Sequence, residues 1–202
     1  MTAGRTIYTK RQDWGTPAKY VNAVRDFFGG QILLDPCSSE YSIVNAETEW
    51  MLPDNDGLAN TWNYRTIYVN PPYGKDHQRG TRISSWLEKC YMAHIQFGSE
   101  VLALVPVATN TSHWKNSVWG AANGICFLYD TRLKFLECGK DTGKGAPMSC
   151  AMIYWGQNFN RFHNVFITFG AVVNIESLMQ SRNLGNSFAK NGNRVTSKVL
   201  FE

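Results

Sequence analysis

Charge is scarce in this chain, and long apolar runs are missing altogether. Only 18% of the 202 residues are charged and 44% are hydrophobic, which excludes a disordered polyelectrolyte and predicts a soluble domain with a substantial core. No segment approaches the ~18 to 20 uninterrupted apolar residues of a membrane span. Met1 to Trp14 is polar and has no apolar stretch of the kind a secretory signal carries. The five cysteines, Cys37, Cys90, Cys126, Cys138 and Cys150, are odd in number and include no C-x-x-C pair. A disulfide framework and a structural zinc are therefore not expected, nor any other metal, and a reducing cytoplasm is the simplest home. Cys90, Cys126 and Cys150 sit in apolar runs and read as small buried hydrophobes. The net charge of +4 permits a nucleic-acid partner without demanding one.

The pattern along the chain is that of one α/β domain over residues 1–180, followed by a loose tail over 181–202 in which Asn, Gly, Ser and Lys dominate. Thr16 is read as an N-cap and Pro17 as the first helical residue, ahead of an apolar stripe of Val21, Val24, Phe27 and Phe28 that Gly29-Gly30 ends. Gln31 to Asp35 and Thr66 to Asn70 are short apolar runs, each stopped by proline, and read as buried strands. Between them, Cys37 to Asn60 reads as irregular and turn-rich. Helical spacing is expected over Thr81 to Phe97 and over Thr111 to Trp119. Further strands are expected at Val101 to Val107, Gly124 to Tyr129, Met148 to Trp155 and Val165 to Val173. Alternating strands and helices predict a mostly parallel sheet flanked by helices, with an antiparallel pair at its end.

In such a sheet, ligands bind beyond the carboxyl ends of the strands. Two strand ends stand out: Asp35-Pro36-Cys37-Ser38 and Asn70-Pro71-Pro72-Tyr73. Two prolines fix φ and remove two backbone donors, leaving rigid carbonyl acceptors. Asn70 adds a side-chain oxygen at the same place, and Tyr73 a flat ring. Such a corner suits a planar amino group, gripped by both hydrogens. The nitrogen lone pair of such a group is delocalised into its ring. Two acceptors favour the pyramidal form, which can attack a methyl sulfonium held in line behind it. Neither a metal nor a covalent enzyme intermediate is required.

Five motifs in order, Asp13-Trp14-Gly15-Thr16-Pro17, Leu34-Asp35-Pro36-Cys37-Ser38, Asp56-Gly57-Leu58 with Trp62, Asn70-Pro71-Pro72-Tyr73-Gly74 and Arg132-Leu133-Lys134-Phe135, together resemble the phage-type Dam DNA N-6-adenine methyltransferases. The resemblance covers about residues 13 to 170. It implies a Rossmann-like class I methyltransferase fold, S-adenosylmethionine as donor, double-stranded DNA as substrate, and the cytoplasm of a bacterium or phage-infected host. Carried over residue by residue, it implies catalysis at Asn70, Pro71, Pro72 and Tyr73. Cofactor contacts are implied at Trp14, Thr16, Pro17, Asp35, Pro36, Cys37, Ser38, Asp56 and Leu58, with Asp56 receiving the cofactor's adenine amino group. No glycine follows the Asp35-Pro36 pair, unlike the commoner version of that motif. Asn45, Glu47 and Glu49 are candidates for the ribose hydroxyls.

A paired adenine must leave the duplex before its N6 is accessible. Phe135 is expected to pack on the extruded base opposite Tyr73, with Lys134 or Arg132 towards phosphate. The loops Lys75 to Arg82, with Lys75, Arg79 and Arg82, and Gly139 to Gly145 are the other candidate DNA contacts. The corner would hold any planar amide or amine. Methylation of RNA, of a protein glutamine or of cytosine N4 therefore stays open at this point, as does a non-catalytic nucleic-acid-binding module.

Overall fold

The computed structural model describes residues 14–176 apart from Gly120 and Thr131; the expected tail and Asp13 lie outside them. Among the described residues, seven strands form one sheet in the order β10-β6-β9-β5-β4-β2-β3. These are β2 (Leu34–Asp35), β3 (Thr48–Glu49), β4 (Thr66–Val69), β5 (Glu100–Pro106), β6 (Gly124–Leu128), β9 (Cys150–Trp155) and β10 (Gly170–Asn174). β3, β2, β4 and β5 pair in parallel. β9 is inserted antiparallel between β5 and β6, and β10 runs antiparallel along β6. Five strands thus point one way and two the other, so the antiparallel part is larger than the single terminal pair expected.

Strands of period 2 buried on both faces produce two cores, and β5 divides its side chains between them. Leu102 and Leu104 join Val21, Val24, Phe27, Tyr154, Phe162 and Phe166 beneath α1 (Ala18–Phe28) and α4 (Phe159–Phe166). Val101, Ala103 and Val105 join Trp86, Leu87, Cys90, Trp114 and Trp155 on the other face, beneath α2 (Ile83–Phe97) and α3 (Ser112–Ser117). Cys90, Cys126 and Cys150 are buried, as expected.

Three local expectations are corrected. Thr16 does not cap α1: Pro17 occupies the N-cap with extended backbone, and the Thr16 hydroxyl turns inward to Tyr68 Oη at 2.7 Å. Residues 165–173 are not one strand. Their first part completes α4, whose N-cap Asn158 accepts from the Arg161 N–H at 3.2 Å, and only Gly170–Asn174 is extended. Phe162 and Phe166 lie one turn apart on the buried face, and the apolar run that follows Phe166 imitates a strand in sequence. Within the turn-rich 37–60 segment, Thr48–Glu49 pairs with β2 as an edge strand.

A second, three-stranded sheet consists of β1 (Trp14–Gly15), β7 (Leu136–Glu137) and β8 (Lys140–Asp141). β7 and β8 form a hairpin whose two-residue turn, Cys138-Gly139, has positive φ at both positions (50° and 74°), the geometry that matches strand twist.

Candidate active site

The chain order locates the crevice. From β2 the chain steps outward to β3, then returns to the other side of β2 for β4 and proceeds away through β5. The direction of winding reverses between β2 and β4, and at such a switch point the loops beyond the carboxyl ends diverge and leave an opening. Asp35 ends β2 and Asn70 directly follows β4, so the two unusual strand ends face one opening. A cavity of about 480 Å³ lies there, lined by both residues.

Asp35 is 4% exposed. Burial pushes its carboxyl up to about 7; the Cys37 N–H opposes this, and the charge of Glu49 adds to it. That N–H donates to Asp35 Oδ1 at 3.1 Å. Pro36, Cys37 and Ser38 line the cavity beside it. Gly57 packs directly under this turn. A Cβ at position 57 would lie 1.8 Å from the Pro36 carbonyl oxygen, so only glycine lets the two loops close.

The corner is anchored from β1. Asn70 Nδ2 donates to the Trp14 carbonyl at 2.6 Å. A carbonyl can only accept, so this contact fixes the polarity of the amide and leaves Oδ1 as its acceptor end. The Tyr73 hydroxyl donates to the Leu104 carbonyl at 3.1 Å and lies 3.3 Å from Asn70 Oδ1. Its single proton is better placed on Leu104, and burial holds its pKa well above the usual phenol value. Trp14 stacks on Phe135 (5.4 Å, 17°), and both meet Tyr73 edge to face, at 6.2 and 5.8 Å. Tyr73 and Phe135 therefore touch, and no third ring lies between them. The two rings expected to flank a base meet each other here as part of an aromatic brace behind the corner.

Of the residues expected to hold a cofactor, Trp14, Thr16, Asp35, Pro36, Cys37 and Ser38 line the cavity; Pro17, Asp56 and Leu58 do not. Asp56 Oδ1 accepts from the Leu58 N–H at 2.9 Å and faces Arg79 Nη1 at 2.9 Å. Leu58 belongs instead to a second cavity along α2. Of the corner itself, Asn70 and Pro72 line the wall, Pro71 is buried, and Tyr73 stands behind. None of the ribose candidates reaches the wall: Glu47 accepts from Gln31 and Glu49 from the Ala46 N–H, while Asn45 is exposed. The far wall is built from Tyr41, Ser42, Trp50, Met51, Leu52 and Asn55, all missed in the sequence because a turn-rich loop carries no periodicity.

Among the expected DNA contacts, Lys75, Arg82, Arg132 and Lys134 are exposed. Leu133 and Phe135 between them are buried, so the alternation in this segment is real although the segment forms no strand. Arg79 differs: it faces the cavity and is paired with two carboxylates.

The fold and this site define an α/β protein with a ligand crevice at a sheet switch point, where a fixed amide oxygen and a buried carboxyl share one wall. A family model described as DNA N-6-adenine-methyltransferase (Dam) matches residues 4–184. The chain belongs to that family, and its reaction is methyl transfer to N6 of adenine in DNA. Comparison with curated proteins and with solved structures returns no match.

Proposed function

We propose that the methyl donor is S-adenosylmethionine, held in the cavity between Asp35 and Asn70, and that the acceptor is an adenine extruded from duplex DNA. The order of the sheet, with its parallel strands and the inserted antiparallel β9, supports a Rossmann-like class I methyltransferase fold. The observation that carries the reading is the fixed polarity of the Asn70 amide on the wall of a cavity of about 480 Å³, a size suited to a cofactor.

The cavity's chemistry fits that donor. The buried Asp35 carboxyl is stabilised in its charged form by a cation, and the donor carries both an ammonium and a sulfonium. Trp14, Trp50 and Leu52 offer apolar wall, and Ser38, Ser42 and Asn55 polar groups. When bound, S-adenosylmethionine supplies an electrophilic methyl group. The remaining work falls to the chain. Asn70 Oδ1 accepts one hydrogen of the adenine amino group, and a main-chain carbonyl of the Pro71–Pro72 turn accepts the other. The nitrogen lone pair is thereby turned out of conjugation and aimed at the methyl carbon. The acceptors are in place before substrate arrives, so no reorganisation is needed at the moment of transfer. Trp14, Tyr73 and Phe135 hold the corner still.

Lys75, Arg82, Arg132 and Lys134 supply phosphate contacts beyond the carboxyl edge of the sheet, where a duplex must lie for one base to enter. The test supplies the protein with methyl-labelled S-adenosylmethionine and native duplex DNA, followed by digestion to nucleosides. Label is expected in N6-methyladenine, with a faster rate where the adenine faces an abasic site, because unpairing then costs less. An absence of donor-dependent label would overturn the cofactor assignment. Equal rates on paired and unpaired adenine would overturn extrusion.

A further inference from the structure

Arg79 lies in the loop that follows the corner, yet its side chain serves neither the corner nor the surface. The Asp76 N–H bonds to the Thr81 carbonyl at 3.0 Å and closes the 76–81 segment into a compact turn. Within it, Asp76 accepts from the Gln78 and Arg79 N–H groups and, at 2.7 Å, from Arg79 Nε. The guanidinium is thus aimed before it reaches anything else. It then lines the cavity wall, and its Nη1, sealed from solvent, stands 2.9 Å from Asp56 Oδ1 as an ion pair without hydrogen-bond geometry. Asp56 belongs to the opposite loop, whose Asn55 and Gly57 also line the cavity.

Partial burial by itself would lower the Arg79 pKa, and Asp76 and Asp56 instead raise it. Among the described residues, the remaining ion pair is Lys19 with Asp130. In a chain this sparing of charge, one arginine held by two carboxylates across a cavity is a built feature. A DNA phosphate would have to compete with both.

We propose that Arg79 is a positioning residue that straps the loop after the corner to the opposite wall of the cavity, and that this strap sets how fast the methyl donor leaves. The proposal rests on the cofactor reading above, because it concerns a ligand enclosed between those two loops. Asp56, on this account, holds the strap. Only the network gives it weight: an isolated half-exposed pair contributes little, whereas a guanidinium hydrogen-bonded through Nε to Asp76 is held in place against the charge of Asp56.

The test measures dissociation of S-adenosylmethionine directly, by chasing labelled ligand from the full chain without DNA. Arg79→Ala and Asp56→Asn are compared with the unaltered protein and with the double variant. Asp56→Asn keeps an oxygen for the Leu58 N–H and removes only the charge. Each single variant is expected to release ligand about three- to tenfold faster. The double variant should be no faster than the quicker single, the non-additivity of two groups that form one contact. Arg79→Lys, which keeps the charge without the fork, should fall between. The single-turnover methylation rate at saturating donor and DNA is measured beside it, and a fall in that rate larger than the change in release would overturn the strap in favour of a part in the chemical step. Unchanged release in both single variants, or additive effects in the double, would overturn the strap while leaving the cofactor reading standing. If the unaltered protein retains no S-adenosylmethionine, the cofactor reading and the strap fall together.

Discussion

In the proposed reaction two side chains carry most of the chemistry, and they do it in opposite ways. Asn70 is useful because one end of its amide is already engaged. Replacing it with alanine removes a preplaced acceptor, and the turnover rate should drop by about 10²–10³-fold, while donor affinity measured by calorimetry changes little. Asp35 is useful because it is uncomfortable. Its folded pKa of about 7 lies above the roughly 3.9 of an exposed aspartate. The folded state therefore holds the proton more tightly than the unfolded one between those values. Stability contributed by the protonated form is complete at low pH and is lost as pH rises through about 7. Asp35→Asn removes that loss. Without donor, the melting temperature at pH 8 should rise by several degrees, since each kcal/mol is worth ~2–4 °C in a domain of this size. The gain should shrink at pH 5, and donor affinity should fall at both. A variant no more stable than the original protein at pH 8 would show that Asp35 is not a buried charge.

At the scale of elements, the site is a meeting of loops that the strands only aim. Prolines stopping two apolar runs made β2 and β4 legible in the sequence, because a buried strand needs apolar residues and a proline cannot extend the ladder. β1, β7 and β8 were not legible. Each has two residues, too few for any period, and they exist only because β1 and β8 both pair with β7. The same limit hid the wall from Tyr41 to Asn55. In α4 the opposite problem arose: Val165, Phe166, Ile167 and Phe169 form an apolar cluster that could belong to either element, and Asn158 as cap decided it. Gly57 shows how tight the loop contacts are. Its alanine variant would place a methyl group against the Pro36 carbonyl, an overpacking that costs about 1–3 kcal/mol or more. Thermal unfolding should move down by roughly 3–10 °C, and donor binding should weaken with it, because Pro36 and Gly57 both border the cavity.

For the molecule as a whole, a net charge of +4 understates what DNA would meet at the carboxyl edge of the sheet. Lys75, Arg82, Arg132 and Lys134 are exposed in segments that follow the carboxyl ends of β4 and β6, whereas Arg79 is neutralised by its two carboxylates. If all four exposed residues neutralise phosphates, their joint replacement by alanine should make the slope of log K against log salt shallower by roughly 3 to 4. Arg79→Ala should leave that slope nearly unchanged. A filter-binding titration across salt concentrations separates the two classes. The sequence could mark all five as basic residues near the corner. It could not single out Arg79, since only one of its two carboxylates, Asp76, is local, and the other, Asp56, lies 23 positions earlier in the chain and is brought near only by the fold.

The bond from Asn70 to the Trp14 carbonyl also decides which relative of asparagine this protein can use. Aspartate would offer the same oxygen to an incoming amine and looks like the mildest exchange. Here it would point an anion at a main-chain oxygen that needs a hydrogen, and the two would repel. The expected result for Asn70→Asp is a loss of turnover at least as deep as for alanine, accompanied by loosening of β1 from the sheet edge, visible as faster amide exchange at Gly15 and Leu136.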